Sequence, residues 1–301
     1  MARTRPKSRP KKATAGAGRR RRPPSPPRVV IVGFGRAGGS LAWGIRKAGW
    51  PLTLFPRSGE SVRRAVQAGF QLAEHEDLRA ADLCFLTVPD TAIGRVTADL
   101  KDDLGPKTVL LHCAGALDLS AFGTDPDTVR RTRASFHPLV AISDPQDELA
   151  GHAVALAASD RELLPTLWEL ALALRLRPIE VPEARRSTYH AGAVMSAGLL
   201  VALASAAAAA FEEAGIYEDA ALGALLPLMR SAIRGVERRG LARGLTGPVA
   251  RGDVSVVQSH LSGLPAEASD VYRVLSLRSL ALVKDRLPAE TRNALERLLK
   301  G

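Results

Sequence analysis

Short apolar runs alternate with helix-period stretches over the first 180 residues. "RVVIVG" reads as a buried strand, and "AGGSLAWGIRKAG" after it reads as a helix. "PLTLF", "ADLCFLTVPD", "KTVLLHCAG", "RASFHPL", "AVALAA" and "RPIEV" follow as further strands, with "SVRRAVQAG" and "RELLPTLWELALAL" as helices among them. Continuous apolar runs of this length, separated by helical patterns, predict a parallel sheet covered by helices. After Pro182 the strand signals stop. Helical patterns fill residues 186–211, 218–238, 249–262, 267–284 and 289–299, separated by turns containing Gly or Pro. The fold class is therefore α/β in the first part, followed by an all-α C-terminal domain.

The run from His190 to Phe211 has no formally charged residue, which is long enough to raise the question of a membrane span. It is dominated by Ala, Gly and Ser, so the expectation is a buried helix of the helical domain and no membrane association. One small domain hardly covers such a helix on all sides. A homodimer through the helical domain is expected to supply the cover.

Composition then divides the chain further. There are 42 Lys and Arg against 31 Asp and Glu, a net charge of +11. Residues 1–28 hold eleven of the cations and no acid, so the rest of the chain is neutral. The segment 1–27, rich in Arg, Lys and Pro and lacking apolar periodicity, is expected to be a disordered basic tail. Any nucleic-acid contact would be a nonspecific property of that tail. The domains expected are thus 1–27 tail, 28–182 dinucleotide-binding and 183–301 helical. The two cysteines, Cys84 and Cys113, fall in separate strands and form no metal-ligand pair, which fits a reducing, cytoplasmic setting and no metal site.

Gly33-x-Gly35-x-x-Gly38 follows the first strand and opens the first helix. In that context the glycines have distinct tasks: a tight turn at Gly33, close backbone approach of a pyrophosphate at Gly35, and helix–strand packing at Gly38. The helix start offers N–H groups and a positive dipole end to the phosphates. The loop Gly33, Phe34, Gly35, Arg36, Ala37 and Gly38 is the candidate pyrophosphate cradle of a Rossmann domain.

The end of the second strand reports on the nucleotide. An acid there would hold the ribose hydroxyls of NAD. This chain has Arg57 and Ser58, with Arg63 and Arg64 nearby. A guanidinium forks onto a phosphate, so the cofactor expected is NADP. Val88, Pro89 and Asp90 end the third strand, and His112 ends the fourth. The carboxyl ends of strands line the ligand crevice of open α/β sheets, so these residues are candidate cofactor contacts. His137 is a further polar candidate near the substrate.

The segments "GFGRAGGSL", "TVPD", "HCAGAL", "SFHPL", "YHAGAVMSAG" and "LTGPVARGDVSVVQSHL", in this order, resemble the Rossmann-like proteins carrying domain of unknown function 2520. The first domain is similar more widely to pyrroline carboxylate reductases and related NADP enzymes. The helical domain resembles the substrate and dimerisation domain of the 6-phosphogluconate dehydrogenase group. The resemblance implies an NADP-linked oxidoreductase. Two positions depart from the pattern: Arg186 stands where members often have Lys, and Gly198 where they often have Asn. Arginine stays protonated and is a poor proton shuttle, although it can clamp an anion.

Two readings follow. In one, the chain is an NADP-dependent reductase or dehydrogenase of a small, anionic carbonyl or imine compound. His190 beside Tyr189 gives the proton, Arg186 and Arg251 hold the substrate anion, and Asp253 orients a neighbour or caps a helix. In the other, the chain is a noncatalytic dinucleotide-binding sensor or regulatory protein, as the departures at residues 186 and 198 would favour.

Overall fold

The computed structural model describes residues 25–301. The expected tail of 1–27 lies outside the described residues except for its last three. The chain divides into two compact units between Glu183 and Ala184.

The first unit is a seven-stranded sheet in the order β2-β1-β3-β4-β5-β6-β7. The strands are β1 (Val29–Val32), β2 (Leu52–Phe55), β3 (Leu83–Leu86), β4 (Val109–His112), β5 (Arg133–Leu139), β6 (Ala153–Ala158) and β7 (Arg177–Glu180). Its helices are α1 (Arg36–Lys47), α2 (Gly59–Gln67), α3 (His75–Ala80), α4 (Ile93–Leu100), α5 (Pro126–Arg130) and α6 (Leu164–Ala173). Both faces of the central strands are buried, which is why their sequences are apolar without alternation. Val29, Ile31, Leu83 and Phe85 pack one side with Leu41, Ile45 and Phe136. Val30, Val32, Cys84 and Leu86 pack the other with Ile93, Leu110 and Phe122.

The strand patterns predict a parallel sheet, which holds for all neighbouring strands but one pair. β5 and β6 run antiparallel, with Phe136 opposite Leu156. A parallel return needs a crossover, usually a helix. The 140–152 segment forms none; Asp147 instead ties a turn by accepting from the backbone N–H groups of Ser143 and Asp144.

The second unit is helical: α7 (Arg186–Ser196), α8 (Gly198–Glu213), α9 (Glu218–Gly244), α10 (Pro248–Arg251), α11 (Val254–Gly263), α12 (Ala266–Val283) and α13 (Ala289–Lys300). The single helix expected over 186–211 is two, broken at Ala197 (φ −123°, ψ −79°). The one expected over 249–262 is also two, because Gly252 turns left-handed at φ 81°. α9 continues past residue 238 and bends at Gly240, where φ is 73°. There the backbones of Gly235 and Gly244 approach so closely that a Cβ on Gly244 would sit 2.9 Å from the Gly235 carbonyl.

The apolar helix is not buried within this chain. Of α7 and α8 only Arg186 and Ala208 are buried, while Met195, Leu199 and Val201 are exposed. Among the described residues, the 183–213 segment is long and apolar enough to cross a membrane by length and composition.

Candidate functional site

The glycine loop has the geometry its sequence implies. Gly33 sits at φ 99°, a conformation that side chains disfavour. Its N–H donates to Phe55 O of β2 at 3.0 Å, tying the turn to the sheet. Thr87, at the end of β3, donates its hydroxyl to Val32 O (3.2 Å) and Gly33 O (3.0 Å). A Cβ on Gly38 would collide with the Gly33 carbonyl and the Thr87 hydroxyl. By contrast, nothing lies within 4 Å of a Cβ built on Gly35. The loop is thus closed on its protein side and open on the side where a phosphate would approach.

Gly35 is the N-cap of α1 and no side chain caps the helix start, whose first turn contains no acid. Its N–H groups and Arg36 at the first helical position present a positive edge. Phe34 turns its ring into the core, edge-on to Phe70 at 5.5 Å between centroids. Only the backbone of Phe34 therefore borders the loop.

At the end of β2, Arg57 pairs with Asp99 of α4 at 2.9 Å. Ser58 caps α2: its hydroxyl accepts from Ser61 N at 3.2 Å, and Ser61 reciprocates. Arg64 donates to the carbonyl of Phe34 at 3.1 Å and stands 3.9 Å from Glu60. This bond links α2 to the glycine loop. Beyond β3, Val88 is half-buried while Pro89 and Asp90 are exposed. Asp90 adds to the burial that raises the Cys113 thiol to about 12. His112 is fully buried at the end of β4, its ring 5.1 Å from that of Phe122, and His137 is half-buried in β5.

The second unit carries the remaining candidates. Arg186 is buried and its guanidinium lies 5.8 Å from the Tyr189 ring centre. Burial pushes the Tyr189 hydroxyl up to about 12, against the opposing effect of Arg186. The phenol is therefore neutral at physiological pH and acts as a hydrogen-bond donor or acceptor, not as a base. His190, one residue on, is half-buried. Gly198 follows the break at Ala197, with open space where a side chain would stand.

In "TGPVARGD", Gly252 makes the left-handed turn between α10 and α11. A Cβ there would meet Thr291 Cγ2 at 2.7 Å. Asp253 occupies the N-cap of α11 but makes no capping bond. Its carboxylate accepts instead from Nε of Arg251 at 2.8 Å, and Nη2 of the same guanidinium lies 2.8 Å from it as an ion pair. The motif brings an arginine and an acid together; it is not a helix cap. The side chains around the glycine loop and the end of β2 that sequence reasoning left out are Asp99, Thr87 and Ser61. Only Thr87, within "TVPD", had a local signal.

A cavity of about 490 Å³ lies at the other end of α1, lined by Trp43, Lys47, Glu148, Leu174 and Arg175 among others. None of the candidate residues lines it. Its cations sit at the C-terminal ends of α1 and α6, where positive charge offsets the helix dipoles.

Residues 26–120 match the NADPH-binding domain of acetohydroxy acid isomeroreductase, and residues 152–279 match domain of unknown function 2520. No curated protein matches the chain. A proposed NADP oxidoreductase from Bacteroides fragilis is 21% identical, with a TM-score of 0.67 over 85% of this chain and 98% of that one. An NADH-preferring ketol-acid reductoisomerase from an uncultured archaeon is 14% identical, with a TM-score of 0.62 over 90% and 92%. The 1-pyrroline-5-carboxylate reductase of Streptococcus pyogenes is 16% identical, with a TM-score of 0.58 over 91% and 97%. The chain shares the fold of these NAD(P)-dependent oxidoreductases, its first half similar to a dinucleotide-binding domain and its second to domain of unknown function 2520.

Proposed function

We propose that this chain is an NADP-dependent oxidoreductase acting on a small, anionic carbonyl or imine compound. The observation that carries the reading is the glycine loop, closed by Thr87 and Gly33 yet open at Gly35, with Arg57 in place of an acid at the end of β2. The backbone from Gly33 to Gly38 and the start of α1 suit a pyrophosphate. Arg57 suits a 2′-phosphate. The fold serves both NAD and NADP, so the preference rests on Arg57. When bound, the nicotinamide supplies or accepts the hydride.

The protein's own groups do the rest. Arg186 and Arg251 are fixed cations suited to a carboxylate or phosphate of the substrate. Asp253 holds the Arg251 guanidinium in place. His190 gives or takes the proton, the general acid–base role in which histidine is the commonest side chain. Tyr189 stays protonated beside it. Val88, Pro89 and Asp90 border the nicotinamide end.

We read the exposed apolar face of α7 and α8 as the surface a second copy covers, in a soluble, cytoplasmic homodimer. Met195 (66% exposed), Leu199 and Val201 (70%) lie on consecutive helices whose side chains are almost all outside the core, and a large apolar patch of this kind marks an interaction surface. The reaction is tested by single-turnover oxidation of bound NADPH across a panel of 2-keto acids and cyclic imines. Oxidation with at least one of them, lost in His190→Ala, supports the reading. Stable NADPH with every compound favours a binding protein without catalysis.

A further inference from the structure

The nucleotide end of the first unit lacks an acid on its own strand but borrows one. Arg57 follows β2, and Asp99 comes from the last turn of α4, 42 residues on. Their contact joins one guanidinium N–H to one carboxylate oxygen at 2.9 Å, with the side chains 35% and 42% exposed. Arginine has five N–H donors, so four are left for other acceptors. Ser58, the neighbouring candidate, spends its hydroxyl on the α2 cap. Arg64 spends a donor on the Phe34 carbonyl. Arg64 meets an acid of its own helix, Glu60, whereas the acid at Arg57 comes from a different element.

We propose that Asp99 is a specificity-determining residue, one that limits the advantage of a 2′-phosphorylated dinucleotide over an unphosphorylated one. The proposal rests on the reading of Arg57 as the 2′-phosphate ligand. A phosphate monoester brings a charge of roughly −2 to the guanidinium. The Asp99 carboxylate repels that charge and competes for the same donors. A ribose hydroxyl is neutral, so Asp99 penalises only the phosphorylated cofactor. Both partners are partly exposed, so the repulsion is screened by salt. The same exposure makes the ion pair a minor contributor to the fold, and its removal is tolerated. If Asp99 instead served to aim Arg57 at the phosphate, removing it would have the opposite sign.

The test is a set of fluorescence titrations of the full chain with NADPH and with NADH. It compares the parent, Asp99→Asn, Arg57→Ala and the double variant, with thermal melting as a check on folding. Asp99→Asn is expected to tighten NADPH by about two- to fivefold at low salt, with NADH unchanged. The gain should shrink as salt rises and be smaller in the Arg57→Ala background, where competition for the guanidinium is gone and only direct repulsion is left. Should Arg57→Ala weaken NADPH while Asp99→Asn leaves it unchanged or weaker, the role of Asp99 is overturned and that of Arg57 stands. Should Arg57→Ala leave NADPH affinity intact, the reading of Arg57 falls, and the proposal falls with it.

Discussion

Gly38 packs directly against Gly33: a Cβ on Gly38 would stand 2.7 Å from the Gly33 carbonyl oxygen, closer than real side chains come. The contact locks the start of α1 onto the turn after β1, and Thr87 holds the same carbonyl from β3 at 3.0 Å. Gly35, two residues from Gly33, faces open space. The two glycines therefore separate fold from binding. Gly38→Ala should destabilise the first unit by about 1–3 kcal/mol, as overpacking does, and lower the melting temperature by several degrees. Gly35→Ala should leave the melting temperature near that of the parent and weaken NADPH. Melting curves with and without NADPH compare the two. Equal effects of both variants on melting would remove this division of roles.

Asp253 and Arg251 form an exposed ion pair, which contributes at most about 1 kcal/mol to stability. Asp253→Asn should therefore melt like the parent. If the pair holds substrate, the variant should raise the substrate concentration needed for half-maximal turnover while NADPH affinity stays constant. Unchanged kinetics on an identified substrate would make the pair purely structural.

Val201 lies on the exposed face of α8. Burying a glutamate there against a second copy would be costly. Val201→Glu should shift sedimentation from dimer to monomer at micromolar concentration without unfolding the first unit. A parent that sediments as a monomer would contradict the dimer outright.

Burial raises both Cys84 and Cys113 to about 12, far above the ordinary thiol. At pH 8 the thiolate fraction is then on the order of one in ten thousand, and the thiolate is the reactive form. The native protein should resist iodoacetamide at pH 8, and both cysteines should react once it is unfolded. As the groups are raised, reactivity should increase only as pH climbs towards that range. Cys84 is buried and Cys113 half-buried, so rapid labelling of Cys113 in the native state at pH 8 would show that its thiol is not held up as far as that of Cys84.

The parts of the fold that local chemistry encodes were legible in the sequence. Runs such as "VVIVG" and "DLCFL" are apolar on both faces because both faces are covered, and the glycine spacing identified the turn after β1. What escaped depends on partners distant in sequence or on weak local signals. Alanine and leucine favour helix, so nothing in "VMSAGLLVALA" marks the break at Ala197 beyond a single glycine. The antiparallel β5–β6 pair follows from a helix-free connection, which strand patterns do not report. Asp99 reads as an ordinary helix-surface acid until the fold brings it to Arg57. Asp253 has the residue type and position of a helix cap, yet its carboxylate turns to Arg251, two residues back.

On the proposed function, the Gly33–Gly38 loop and Arg57 together hold a 2′-phosphorylated nicotinamide dinucleotide. The most direct test of this is a parallel titration of the unmodified protein with NADPH and NADH, followed by nicotinamide fluorescence at fixed ionic strength. A charge-assisted contact of the kind assigned to Arg57 is worth about 1.5–3 kcal/mol, or on the order of tenfold or more in affinity. NADPH is expected to bind more tightly than NADH by such a factor. Superimposable curves for the two cofactors, or no binding of either, would contradict it.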